Sequence, residues 1–133
     1  MKTVLIADDS RTTQMLVKTT LQRIPALKFL TADNGRQALA VLDQEVVDLL
    51  VTDINMPEMD GIELVREARR RRSRDELPIV IITAKGEEQA RTEGMALGAN
   101  DYILKPISSR DLLDAASRLL IAPTGPPRPS AAG

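Results

Sequence analysis

Short apolar runs alternate with amphipathic stretches from the first residues to about Leu120. Thr3 to Ala7 predicts a first strand. Met15, Leu16, Leu21 and Ile24 fall near helical spacing and predict a helix from about Arg11 to Ile24, capped by Ser10 and stopped by Pro25. Leu27 to Ala32 predicts a second strand, with Lys28 and Thr31 interrupting its apolar run as at a sheet edge. Asp33-Asn34-Gly35 carries turn and cap chemistry ahead of a helix through Ala38, Leu39 and Leu42. Asp48 to Thr52, apolar between its ends, predicts a central third strand. Asp60-Gly61 opens a helix carrying Ile62, Leu64, Val65 and Ala68. Pro78 leads into Ile79-Val80-Ile81-Ile82, a second central strand. Glu87 and Glu88 stand where a helix start favours negative charge, before a helix through Ala90, Met95 and Leu97 to Gly98. Asp101 to Leu104 is a fifth strand with a polar entrance. Ser108 and Asp111 resemble a capping pair before a last helix with Leu112, Leu113, Ala116, Leu119 and Leu120.

Repeated strand–helix units with right-handed crossovers predict an α/β fold: a five-stranded parallel sheet with helices on both faces. With strands two and five at the edges, the strand order is 2-1-3-4-5. The order reverses between strands one and three, and open sheets bind ligands at such a reversal, beyond the carboxyl ends of the strands. Asp8 and Asp9 follow the first strand, Asp53 the third, Thr83 the fourth and Lys105 the fifth. Three carboxylates, one hydroxyl and one ammonium along one edge suit a divalent cation and a phosphoryl group. Carboxylates about 4 Å apart repel by roughly 4 kcal/mol per pair at an effective dielectric near 20, so the cluster needs a reason to exist.

Composition narrows the field. A chain of 133 residues is most simply one domain with a core of its own. There is no cysteine and no histidine, which excludes disulfides, thiolate metal sites, most zinc sites and a phosphohistidine carried in cis. The net charge of -1 and an aromatic content limited to Phe29 and Tyr102 argue against nucleic acid as a partner. No apolar run approaches the ~20 residues of a membrane span and no signal peptide is evident, so the expectation is a cytoplasmic protein. Residues 122–133 are rich in Pro, Gly and Ser, and read as a disordered tail or truncated linker after a domain at residues 1–121.

Four stretches carry a specific resemblance: Asp8-Asp9-Ser10, Asp53-Ile54-Asn55-Met56-Pro57-Glu58-Met59-Asp60-Gly61, Thr83-Ala84, and Tyr102-Ile103-Leu104-Lys105-Pro106. In this order and spacing the chain resembles the receiver domain of two-component response regulators, above all the small single-domain chemotaxis type. The resemblance covers about residues 2 to 121, and it supports the same flavodoxin-like strand order.

The resemblance implies a role for each residue. Asp53 is the phosphoacceptor, with Lys105 and Thr83 assisting the transfer. Magnesium, or manganese in its place, is held by Asp9 and Asp53 directly, by the Asn55 carbonyl, and by Asp8 through water. The Lys105–Pro106 peptide bond is cis. Thr83 and Tyr102 form a switch that reads out to the face made by the fourth helix, fifth strand and fifth helix. Asn55 and Lys85, two beyond the acceptor and two beyond the threonine, tune the lifetime of the phosphoryl group. A lysine at the second place opposes in sign the glutamate frequent in chemotaxis receivers.

Each residue also has a plainer reading. Asp8-Asp9 can cap a helix, Lys105 can be a surface lysine, and Thr83 can be an ordinary β-branched strand residue. Tyr102 can be an edge-strand tyrosine with its hydroxyl in water. The run Arg69 to Arg72, with Arg66 and Arg74, reads as a solvated helix end or as a docking patch for an acidic partner. Gly94 weakens its helix by about 1 kcal/mol relative to alanine.

The function expected from the resemblance is a phosphorylation-dependent binding module. A histidine kinase or histidine phosphotransfer protein would phosphorylate it in trans. A phosphorylation-dependent output protein would read it, and the chain itself would be a monomer or weak dimer. Two other classes compete. A hydrolase with an aspartyl-phosphate intermediate usually has an acid where Asn55 stands, and a cap insertion. A flavin carrier on the same sheet needs a hydroxyl-rich loop where Asp8-Asp9 stand, and more aromatics. No G-x-x-x-x-G-K-[ST] motif supports nucleotide binding. Whether the chain stands alone or belongs to a longer regulator stays open.

Overall fold

The computed structural model describes residues 1–121, so the reading of 122–133 lies outside the described residues. Strands and helices alternate: β1 (Lys2–Ala7), α1 (Arg11–Leu21), β2 (Leu27–Ala32), α2 (Gly35–Gln44), β3 (Leu49–Asp53), α3 (Gly61–Arg71), β4 (Ile79–Thr83), α4 (Glu88–Leu97), β5 (Asp101–Leu104) and α5 (Ser109–Ile121). The strands form one parallel sheet in the order β2-β1-β3-β4-β5, as the hydrophobic pattern predicts.

Every residue of β3 and β4 is buried, whereas β2 and β5 have exposed positions, as edge strands do. Leu5, Leu50, Ile79 and Ile81 point into one core with Leu39 and Leu42 of α2 and Leu64 and Val65 of α3. Their neighbours Val4, Ile6, Leu49, Val51, Val80 and Ile82 point into a second core with Val17 and Leu21 of α1 and Leu112 and Ala116 of α5. Two covered faces explain why the central strands are apolar at consecutive positions. Each fully buried Leu or Ile contributes about 1.5–3 kcal/mol of transfer free energy.

Register then sets the functional edge. Ala7 pairs with Thr52, so the next step brings Asp8 beside Asp53. Asp53 pairs with Ile82, and Thr83 with Leu104, which places Thr83 and Lys105 along the same edge.

Several expectations are corrected. α1 ends at Leu21 rather than Ile24: Pro25 disfavours helix in the residue before it, and the amides of Arg23 and Ile24 bond three residues back, to Thr20 and Leu21. Its buried face is Gln14, Val17, Thr20 and Leu21, whereas Met15 and Leu16 are 61% and 43% exposed. β3 starts at Leu49 and includes Asp53; the Asp48 carboxylate instead accepts from the Thr3 amide at 2.8 Å. At α4, by contrast, Glu87 is the N-cap and Glu88 the first helical residue, so both acids stand at the helix start as the sequence predicts.

The arginine run is neither a wholly solvated helix end nor a bare patch. Arg69 donates from Nε and Nη2 to the Gly98 carbonyl at 2.9 and 2.8 Å, and from Nη2 to Asn100 Oδ1 at 2.9 Å. Its Nη1 reaches the carbonyls of Arg72 and Ser73, both at 3.2 Å. Arg72 donates to the Leu42 carbonyl at 2.7 Å, and Arg71 to Asp43 at 2.6 Å. Long planar donors here satisfy carbonyls that helix ends leave unpaired.

Candidate functional site

The site is assembled from the ends of four strands. Asp8 lies just past β1, Asp53 and Thr83 close β3 and β4, and Lys105 lies just past β5. Asp8, Asp9 and Asp53 each offer a carboxylate oxygen, all within 4.8 Å of one another. Asp8 and Asp53 are buried, at 2% and 4% exposure, and Asp9 is exposed.

Local structure fixes these positions. Asp8 Oδ1 accepts from the Ser10 amide at 2.8 Å, and the Ser10 hydroxyl in turn accepts from the Thr13 amide at 3.2 Å, capping α1. The Gln14 side-chain amide donates to the carbonyls of Asp8 and Ala32 at 2.7 and 3.3 Å, and to Asp33 Oδ1 at 2.9 Å. That buried amide braces the ends of β1 and β2 from behind. Beneath Asp53, α3 begins at Gly61, whose amide donates to the Ile54 carbonyl at 2.7 Å. A Cβ on Gly61 would stand 2.1 Å from the Asp53 carbonyl oxygen.

Three side-chain oxygens are buried without a hydrogen-bond partner among the described residues: Asp8 Oδ2, Asp53 Oδ1 and Thr83 Oγ1. Lys105 Nζ lies 3.0 Å from Asp53 Oδ1, as an ion pair rather than an aligned hydrogen bond. An orphaned buried polar atom costs about 1–3 kcal/mol, so Asp8 Oδ2 and Thr83 Oγ1, which have neither a hydrogen bond nor an ion pair among the described residues, point to ligands at this edge. A hard divalent cation fits the oxygen donors of the acidic cluster.

Electrostatics agree. Burial, then the negative neighbours Asp53 and Asp9, push the Asp8 carboxyl up to about 6, against the lowering by the Ser10 amide and Lys105. Burial also raises the Asp53 carboxyl, outweighing the lowering by Lys105. For Lys105, burial works to lower the ammonium, but Asp53, Asp8 and Glu87 together outweigh it and raise the group.

The other residues singled out by sequence fall around this centre. The Lys105–Pro106 bond is cis. Asn55 and Lys85 are exposed. Tyr102 is 37% exposed, with the Arg91 guanidinium 4.7 Å from its ring centroid, a cation–π contact at the surface rather than in the pocket.

The sequence places Glu87 only at a helix start, and the structure adds its contacts in the site. Its Oε1 accepts from the Ala84 amide at 2.6 Å, and its Oε2 accepts from Asn55 Nδ2. The signal was present: an acid three residues after the amide it reaches back to, as in a capping box. A Glu ahead of a helix is equally explained by the helix dipole.

With this geometry in place, comparison with known proteins is specific. The family model for the response regulator receiver domain matches residues 4–117. The chain belongs to the response regulator receiver family. It is 38% identical over 125 residues to the phosphate regulon transcriptional regulatory protein PhoB of Pseudomonas aeruginosa, covering 94% of this chain and 54% of PhoB. It is 36% identical over 110 residues to a chemotaxis protein CheY homolog of Campylobacter jejuni, covering 82% of this chain and 85% of that protein. Among solved structures, chemotaxis response regulator CheY4 of Vibrio cholerae superposes with a TM-score of 0.80 at 34% identity, covering 90% of this chain and 99% of that one. The chain thus spans about half of PhoB and most of the CheY-type proteins. Receivers are signalling modules of two-component systems, acting between histidine kinases and output partners. Among the described residues, no helix is long and apolar enough to cross a membrane.

Proposed function

We propose that residues 1–121 form a phosphorylation-dependent signalling module in which Asp53 accepts a phosphoryl group from a phosphohistidine. The donor is a histidine kinase or histidine phosphotransfer protein acting in trans to this domain, whose 133 residues contain no histidine. The observation that carries the reading is the convergence of Asp8, Asp9 and Asp53 beside the Lys105 ammonium.

In the transfer, the bond from phosphorus to the donor nitrogen breaks and a bond to a carboxylate oxygen of Asp53 forms. Asp53 is positioned by its place at the end of a fully buried strand. Lys105 neutralises charge on the transferring group, and its flexible stem lets it follow that group. Thr83, whose Oγ1 lacks a partner among the described residues, donates its hydroxyl to a phosphoryl oxygen. Asp8, Asp9, Asp53 and the Asn55 carbonyl would hold magnesium or manganese, which supplies positive charge to the transferring oxygens. Asn55 and Lys85 flank the entrance and influence how long the phosphoryl group lasts.

Readout is a shift between two pre-existing arrangements. Thr83 moves toward the phosphoryl group, and Tyr102 leaves its place beneath Arg91 for the space vacated. The face formed by α4, β5 and α5 then presents a different surface to an output protein. We infer a monomer or weak dimer working in the cytoplasm.

The test is acid-labile incorporation of phosphate from a phosphorylated histidine kinase or from acetyl phosphate. Incorporation should require a divalent cation and disappear in Asp53→Asn and Asp53→Ala. Labelling that persists in Asp53→Ala would remove Asp53 as the acceptor.

A further inference from the structure

We propose that Glu87 is a resident anion in the phosphoryl pocket, and that its carboxylate must be displaced for the phosphoryl group to be accommodated on Asp53. This rests on the acceptor role of Asp53 and adds a positioning residue to it.

The argument starts from donors. A phosphorylated side chain carries about two negative charges at neutral pH and three acceptor oxygens that need partners. The Lys105 ammonium stands beside Asp53, and the register of β3 and β4 puts the Thr83 hydroxyl and then the Ala84 amide next along the same edge. The Ala84 amide is already occupied by Glu87 Oε1 at 2.6 Å. The other carboxylate oxygen accepts from Asn55 Nδ2, two residues beyond the acceptor. One carboxylate therefore spans the loops that follow β3 and β4 and uses donors from both.

Its charge is also felt at the centre. Glu87 is among the groups that raise Asp53 and among those that raise Lys105. A second anion arriving on Asp53 is repelled by Glu87 and competes with it for the Ala84 amide. Glu87 cannot retreat into the core; it stands immediately before α4, with no side-chain cap bond at that helix start. Its departure releases Asn55 and the Ala84 amide together and unties the residue that precedes α4 from the loops after β3 and β4. The same contact thus sets a threshold for phosphorylation and links the pocket to α4, independently of Tyr102.

Beryllofluoride, a non-reacting phosphoryl mimic, gives a readout apart from turnover. Affinity for it is measured at saturating magnesium in the full chain, alongside the rate of labelling by acetyl phosphate. Glu87→Gln keeps the shape and a hydrogen-bonding oxygen but removes the charge. It should tighten beryllofluoride binding and speed labelling by roughly three- to tenfold, as expected for removing one nearby like charge. Affinity for magnesium alone should stay the same or fall, the opposite sign. Glu87→Ala should give the same signs.

A merely structural tie predicts that both variants weaken beryllofluoride binding; that result, or no change, overturns the inference. If wild-type protein binds no beryllofluoride and takes no label, the acceptor role of Asp53 fails and this inference falls with it. If wild type does both and the variants match it, only Glu87 is excluded.

Discussion

Lys105 Nζ stands 3.0 Å from Asp53 Oδ1, so an ammonium from the sheet edge meets a carboxylate buried at its centre. The Lys105 side chain is 37% exposed, which screens the pair on one side. Replacing it with methionine leaves a buried carboxylate without its counter-charge. Lys105→Met should lower stability at pH 7 by about 1–2 kcal/mol, with a smaller loss at pH 5, where Asp53 more readily takes up a proton. Urea unfolding at the two pH values measures both. Equal losses at both would mean that the pair contributes through packing rather than charge. Lys105→Arg should not restore function, since a rigid planar fork is a different donor.

Magnesium should stabilise the fold by filling the orphaned donors around Asp8 and Asp53. At ten times its dissociation constant a ligand specific to the folded state adds about 1.4 kcal/mol. For a chain of this size that is roughly 5 °C in melting temperature. Melts with millimolar magnesium against chelator test this, and Asp9→Asn should reduce the shift. An unchanged melting temperature in wild type would count against the cation site.

Asp8 predicts an inverted pH dependence in the metal-free protein. Burial lifts it from the ordinary 3.8 of an aspartate to about 6 in the folded protein. Between them the folded state holds a proton that the unfolded state has lost, so stability falls as pH rises through this window. The contribution is at most about 3 kcal/mol. Denaturation from pH 4 to 7 should show this fall in wild type and a flatter profile in Asp8→Asn. Magnesium affinity should weaken below pH 6, as the proton competes for the same oxygen.

Gly61 packs the start of α3 against the acceptor strand. A methyl group there would meet the Asp53 carbonyl oxygen at 2.1 Å, and backbone cannot swing aside as a flexible side chain can. Gly61→Ala should cost about 2–3 kcal/mol, in the range of overpacked sites, and should slow labelling of Asp53 more than its stability loss explains. Calorimetry with acetyl phosphate labelling of the same sample separates the two effects. A variant as stable as wild type would mean that α3 shifts freely.

The sheet was legible because buried parallel strands are continuous apolar runs, and Val4 to Ala7 or Ile79 to Ile82 admit little else. The candidate centre was legible because strand ends in a parallel sheet share an edge. The face of α1 was not: Met15 and Leu16 look like core, but Gln14 and Thr20 hold the inward positions, and a buried amide such as Gln14 is recognisable only from the carbonyls it meets. The contacts of Glu87 and Arg69, though not their places at a helix start and in the arginine run, stayed hidden for a related reason. Both are long charged side chains whose partners, Ala84 and Gly98, are backbone groups with no trace in residue type.

Arg69 gives α4 an unequal pair of ends. The carbonyl of Gly98, just past the helix, is gripped by two guanidinium nitrogens from α3, and Arg74 reaches the Met95 carbonyl at 3.3 Å. The opposite end starts beside Glu87 with no side-chain cap bond. Arg69→Ala should accordingly speed amide exchange at residues 95–99 and leave residues 88–91 unchanged. α4 is therefore tied to its surroundings at one tip, by α3, and is loosest where it leaves the loop after Thr83.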